Sequence, residues 1–174
     1  TWNDLYEKVC KFSSYLKKLN LQKGDRVAAY VPNKIESIIC FLACAKNGII
    51  WSSCSPDFGV QGVVDRFKQI EPKVLITCDY YYYNGKKINI LDKVEEILKQ
   101  IPSIKKVIAF NYNKQERESL KNFINFEETL KNDLDEVFER FEFNHPIYIL
   151  FSSGTTGKPK CITHGSGNVL IEHN

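Results

Sequence analysis

The chain has 174 residues, of which 43% are hydrophobic and 26% charged, with a formal net charge of +3. That length can bury one core, and the composition reads as a soluble globular domain. No apolar run approaches the ~20 residues of a membrane helix, no targeting segment opens the chain, and the lysines lack the dense stripe of a nucleic-acid binder.

Thr1 with Asp4 three residues on resembles a capping box, and Leu5, Val9, Phe12, Leu16 and Leu19 then repeat at helical spacing. After a turn at Gly24, Arg26–Val31 reads as a strand. Pro32-Asn33 opens a second helix, with Asn33 as its expected cap, Glu36 in its first turn and a glycine stop at Gly48. Ile49-Ile50-Trp51 is a short strand. Val60, Val63, Val64, Phe67 and Ile70 form a third amphipathic helix, stopped by Pro72. Val74–Thr77 predicts a strand, Ile90–Ile101 a helix and Lys106–Phe110 a strand. Tyr80–Tyr83 stands out only as a low-complexity run. Residues 111–145 hold nine acidic and five basic side chains and no glycine, and read as a polar connecting excursion with some helix. Ile147–Phe151 predicts the last strand, and a helical pattern runs to Asn174.

Strands separated by helices of this length imply an α/β fold, in which βαβ units build a mainly parallel, doubly wound sheet. Ligands of such sheets bind beyond the carboxyl ends of the strands. The chain has no methionine and stops inside a helical pattern, so residues 1–174 read as part of one domain of a longer protein.

Six cysteines stand at 10, 40, 44, 54, 78 and 161, with no paired Cys-x-x-Cys and no disulfide-scaffold density. Cys40 and Cys44 sit one helical turn apart among Ile38, Ile39, Phe41 and Leu42, which favours buried free thiols over half a metal site. Cys161 with His164 is read the same way, since no further soft ligand lies near. Free thiols point to a reducing compartment, the cytosol. Trp51 and Phe58 read most simply as core aromatics.

The most telling segment is Ile149–Lys160. An apolar strand empties into Ser152-Ser153-Gly154-Thr155-Thr156-Gly157-Lys158-Pro159-Lys160. The glycines let the backbone approach an anion and turn its N–H groups toward it. Four hydroxyls add neutral donors, Lys158 and Lys160 add charge, and Pro159 stiffens the exit. This is a polyphosphate cradle. It is not a Walker loop, because Pro159 stands five residues after Gly154, where Gly-Lys-Ser/Thr would have to begin.

These nine residues resemble the phosphate-binding signature of the acyl-adenylate-forming enzymes. Trp51-Ser52-Ser53-Cys54-Ser55-Pro56-Asp57-Phe58-Gly59, followed by Asp65-Arg66-Phe67, is similar to the corresponding segment of acetoacetyl-CoA synthetases. Tyr83–Lys86 and Pro159-Lys160-Cys161 with His164 fit the same subfamily. The resemblance implies a large N-terminal adenylation domain and ATP, Mg²⁺ and CoA as cofactor and co-substrates. It implies acetoacetate as the acid, with Ser152, Ser153, Gly154, Thr155, Thr156, Gly157, Lys158 and Lys160 at the ATP phosphates. Lys160 is then a catalytic candidate, and Thr155 and Thr156 would donate to the phosphates as pyrophosphate leaves. His164 stands open between a place near the acyl pocket and a structural role. Lys86 and Lys87 correspond in place to a turn that meets the 3′-phosphate of CoA in acetyl-CoA synthetases, although arginines stand there in those enzymes. The resemblance also implies that the adenine and acyl pockets, the acidic metal and ribose residues and a catalytic lysine lie downstream of Asn174. On that basis the chain by itself is expected to be inactive. Two alternatives stay open: another short-chain acyl-CoA synthetase, such as one acting on acetate, and a non-enzymatic nucleotide-binding module.

Overall fold

A computed structural model describes residues 1–113, 122–152 and 157–173. The first helix, α1 (Trp2–Lys18), begins as the sequence predicts, with the Thr1 hydroxyl accepting from the Asp4 amide and the Asp4 carboxylate accepting in return from the Thr1 backbone nitrogen. Then follow β1 (Arg26–Tyr30), α2 (Ile35–Lys46), β2 (Ile50–Cys54), α3 (Val60–Ile70) and β3 (Val74–Cys78). A hairpin of β4 (Tyr80–Tyr83) and β5 (Lys86–Asn89) leads to α4 (Leu91–Gln100), β6 (Lys106–Phe110), β7 (Ile124–Asn125) and α5 (Phe126–Thr129). The chain closes with β8 (Pro146–Ser152), β9 (Lys160–Gly165) and α6 (Ser166–Glu172). No helix of the described residues is long and apolar enough to cross a membrane.

Seven strands form one sheet in the order β7-β6-β3-β1-β2-β8-β9. Six run parallel and β9 returns antiparallel along β8. From β2 the chain must pass back over β1 to reach β3. Right-handed crossovers therefore throw α2 and α3 onto opposite faces. Accordingly α1 packs with α2 and α5, and α3 packs with α4. The expected mainly parallel, doubly wound sheet is the observed one. Its central strands are buried on both faces, which is why Val27–Tyr30 and Val74–Cys78 read as apolar runs rather than alternations.

Several local expectations need correction. Asn33 does not cap α2. Lys34 takes that position in an extended conformation without a side-chain bond, and Ser37 Oγ donates instead to Pro32 O at 3.0 Å. Tyr80–Tyr83 is a strand, not merely a repetitive run. Asn84 (φ 47°) and Gly85 (φ 72°) make the left-handed two-residue turn that suits a right-twisted hairpin. The 111–145 stretch supplies more than a helix. Ile124–Asn125 adds an edge strand, and Phe126 is buried against Phe12 and Phe110.

After α5 the chain crosses α1 and α2 as an extended strap. Lys46, with 1% of its side chain exposed, reaches Asp135 Oδ2 (3.0 Å), Val137 O (2.7 Å) and Ser13 Oγ (3.2 Å). Its ammonium also lies 5.0 Å from the Phe138 ring centre. Lys17 pairs with the same Asp135 carboxylate at 2.8 Å. This network pins the strap just before it turns into β8.

Candidate functional site

β8 delivers Ser152 to the carboxyl edge of the parallel sheet, and Lys160 opens β9 directly opposite it, as its register partner. The cradle is thus a hairpin loop whose two ends meet at the edge where this fold class binds ligands. β8 is fixed to its neighbour by the Trp51–Tyr148 pairing and by Ser52 Oγ donating to Ile149 O at 2.8 Å. Ser153, Gly154, Thr155 and Thr156 lie outside the described residues. Gly157 has φ +125°, a conformation that a side chain would strain. Lys160 is exposed at the mouth. Lys158 borders a cleft of about 350 Å³ that it shares with Gln61, Asp65, Lys68, Gln69 and Gln100. Gln69 Nε2 donates to Pro159 O at 2.9 Å, so α3 touches the loop between its two lysines. A roomier concavity of about 690 Å³ lies between α4 and the β6–β7 edge and holds none of the loop residues. The convergence of loop and sheet edge, rather than volume, marks the site.

His164 sits on β9 opposite Tyr148, their ring centres 4.9 Å apart. Its ring packs against Tyr148 across the two strands. Cys161 departs from the expected buried thiol: it is exposed on the edge strand, with Sγ 3.6 Å from Gln69 Oε1. The other five cysteines are buried, and burial raises the Cys40, Cys44, Cys54 and Cys78 thiols above their ordinary range. Among the described residues no three His, Cys, Asp or Glu side chains gather as a metal site.

Lys86 and Lys87 lie on the β4–β5 hairpin at the same sheet edge, beyond β3. Three interstrand steps separate β3 from β8, about 14 Å. Neighbouring residues of a strand project to opposite faces, so the two lysines do not form one clamp. Lys87 Nζ lies 3.8 Å from the centre of the Tyr80 ring, while Lys86 pairs in register with exposed Tyr83.

Between hairpin and loop runs the β2–α3 connection, and here sequence reasoning missed three residues. Tyr30, fully buried, places its hydroxyl 2.8 Å from Pro56 O and 2.7 Å from Phe58 O. Tyr81 carries a phenol pushed up to about 12 by burial and by the neighbouring Asp57 carboxylate. Gln69, on α3, is the third. Nothing in strand periodicity announces such tethers, since each is made across elements. Phe58 is not a core aromatic. It is 38% exposed, with the Arg66 guanidinium 4.3 Å from its ring centre, because the connection it sits on leaves the sheet edge for the surface. Trp51 is buried as expected, with the Phe41 ring 6.2 Å away.

The profile of AMP-binding enzymes matches residues 1–173. The chain belongs to the AMP-binding enzyme family. Within that family, an acetoacetyl-CoA synthetase of Rhizobium meliloti (strain 1021) is 44% identical over 179 residues, and one of Macaca fascicularis 40% over 182, each match taking in 99% of this chain. The solved acetoacetyl-CoA synthetase from Streptomyces lividans superposes with a TM-score of 0.94 at 39% identity, covering 99% of this chain and 26% of that one. The chain spans 27% of the length of each of these two curated relatives. The AMP-binding profile therefore covers residues 1–173, and the Ser152–Lys160 loop read as a phosphate cradle leaves the sheet at its carboxyl edge.

Proposed function

We propose that this chain is the phosphate-loop portion of an AMP-forming acetoacetate–CoA ligase. The observation that carries the proposal is the Ser152–Lys160 cradle at the carboxyl edge of a sheet so close to that of an acetoacetyl-CoA synthetase. In this reading an acetoacetate carboxylate oxygen attacks the α-phosphorus of ATP. The bond to the bridging oxygen breaks and pyrophosphate leaves, giving acetoacetyl-adenylate. The loop's backbone N–H groups, hydroxyls and lysines hold the departing phosphates. The CoA thiol, losing its proton to solvent, then attacks the acyl carbonyl and AMP leaves. Mg²⁺ would be supplied with the nucleotide rather than held by an all-protein cage, and would neutralise phosphate charge as pyrophosphate leaves. Buried free thiols at Cys10, Cys40, Cys44, Cys54 and Cys78 suit a reducing, cytosolic setting.

The test is ATP–pyrophosphate exchange by the full-length protein with acetoacetate or acetate as the acid. Exchange that depends on acetoacetate and exceeds that with acetate supports the reading. Preference for acetate would leave the mechanism and remove the substrate, and no exchange with any acid would favour a nucleotide-binding module.

For CoA, the hairpin geometry separates the two lysines. Lys86→Ala is expected to raise the KM for CoA by about tenfold while leaving that for dephospho-CoA unchanged, the size of one lost charged hydrogen bond. Lys87→Ala, whose ammonium sits on Tyr80, is expected to leave both unchanged. Equal losses for the two thiols in the Lys86 variant would remove it from the 3′-phosphate.

A further inference from the structure

We infer that Gln69 is a positioning residue for the phosphate loop, clamping its exit to α3. The inference rests on the adenylation reading above. Gln69 uses its whole amide. Nε2 donates to its own helix at Asp65 O (2.6 Å) and across to Pro159 O (2.9 Å), and Oε1 faces the Cys161 thiol at 3.6 Å. Both nitrogen partners are carbonyls, which only accept, so the orientation of the amide is forced. The contact reaches 90 residues along the chain to the carbonyl of the Pro159–Lys160 peptide, between the two loop lysines.

The consequence is geometric. On one side the loop is closed by the pairing of Ser152 with Lys160. On the other, Gln69 fixes the Pro159 carbonyl and so the direction in which Lys160 leaves the turn. The Pro159 ring fixes φ of the residue that carries this carbonyl, and Cys161 adds a second contact one residue beyond Lys160. A glycine-rich loop with two glycines in nine residues is otherwise costly to order around a ligand. Clamping its exit in advance lowers that cost when the triphosphate binds. Gln69 touches neither substrate nor reacting atoms in this scheme. It acts through the loop.

The test uses Gln69→Met and Gln69→Glu in the full-length protein, with Thr156→Ala as control. ATP–pyrophosphate exchange is measured beside deuterium exchange of a peptide spanning 157–163. Both Gln69 variants are expected to raise the KM for ATP by about 2–10-fold with kcat within about twofold, as for the loss of one neutral hydrogen bond. The KM for acetoacetate should stay unchanged and the 157–163 amides should exchange faster. Gln69→Glu keeps the shape but turns the donor into a charged acceptor facing two carbonyls, so its effect must be at least that of Gln69→Met. Wild-type ATP KM and wild-type exchange in both variants would overturn the inference, as would a fall in kcat alone. If Thr156→Ala is impaired while the Gln69 variants match wild type, only the clamp fails. If the wild-type protein shows no pyrophosphate exchange, the adenylation reading and the clamp fall together.

Discussion

Lys160→Ala and Thr156→Ala, introduced separately into the full-length protein, are expected to slow acetoacetate-dependent ATP–pyrophosphate exchange by about 10²–10³, the usual cost of losing one preorganised donor to developing charge. Lys160 opens β9 at the mouth of the loop, in register with Ser152 and exposed to the space beyond the sheet edge. On the proposed mechanism, an ammonium there would face the negative charge that accumulates as pyrophosphate leaves. Alanine keeps the strand and removes the charge. Folding should be unaffected, because Lys160 makes no ion pair among the described residues and its backbone pairing does not need the side chain. The expected signature is a fall in kcat and in kcat/KM together, since the lost interaction strengthens toward the transition state. A rise in KM for ATP with kcat unchanged would make Lys160 a binding residue only. Exchange at wild-type rate in both variants would remove the loop from the chemistry.

The largest expected effect on stability belongs to Asp135. Lys46 is almost fully buried and its ammonium is met by Asp135, Val137 O and Ser13. Asp135→Ala leaves that charge without its counter-ion and should cost about 3–5 kcal/mol, the range for breaking a buried pair from one side. Replacing both partners by apolar residues, Lys46→Met with Asp135→Leu, should recover most of the loss, because a buried pair is worth little over a well-packed apolar substitute. The readout is the shift in urea midpoint of the transition that reports this domain, at unchanged slope. Burial alone would raise the Asp135 carboxyl, but hydrogen bonds from Lys17 and Lys46 outweigh it and hold the group at about 2. The folded value lies below the unfolded one of 3.8, so the contribution is full above about pH 4 and is lost as pH falls toward 2. Asp135→Asn should abolish that component of acid destabilisation. An unchanged acid profile would mean that the strap does not depend on the pair.

Much of the fold was legible because it rests on local signals. The Thr1–Asp4 capping box, the stripe of Val9, Phe12 and Leu16, the stop of α3 before Pro72 and the apolar runs of β1 and β3 each follow from a few consecutive residues. The hairpin signal was also present, as Asn84-Gly85 between a tyrosine run and Ile88, although the repetition of one residue type masked the strand. Strand β9 was harder. It is an edge strand whose Lys160–Gly165 sequence alternates poorly and gains its pairing only from β8.

The sequence by itself determined the donor set of the loop, two glycines, four hydroxyls and two lysines after an apolar strand, on which the polyphosphate reading rests. Tertiary structure decided how the cradle is held and which residues share its edge. Ser152 meets Lys160 only because β9 folds back on β8, and Gln69 reaches Pro159 only because α3 crosses beside it. Lys86 and Lys87, adjacent in sequence, part company because a strand sends neighbouring side chains to opposite faces. Lys46 becomes a buried cation only when the 133–143 strap closes over α1 and α2. Local sequence fixes propensity and donor type, which depend on nearest neighbours. Long-range partners depend on crossover handedness and strand order, and these emerge only when the whole sheet is assembled.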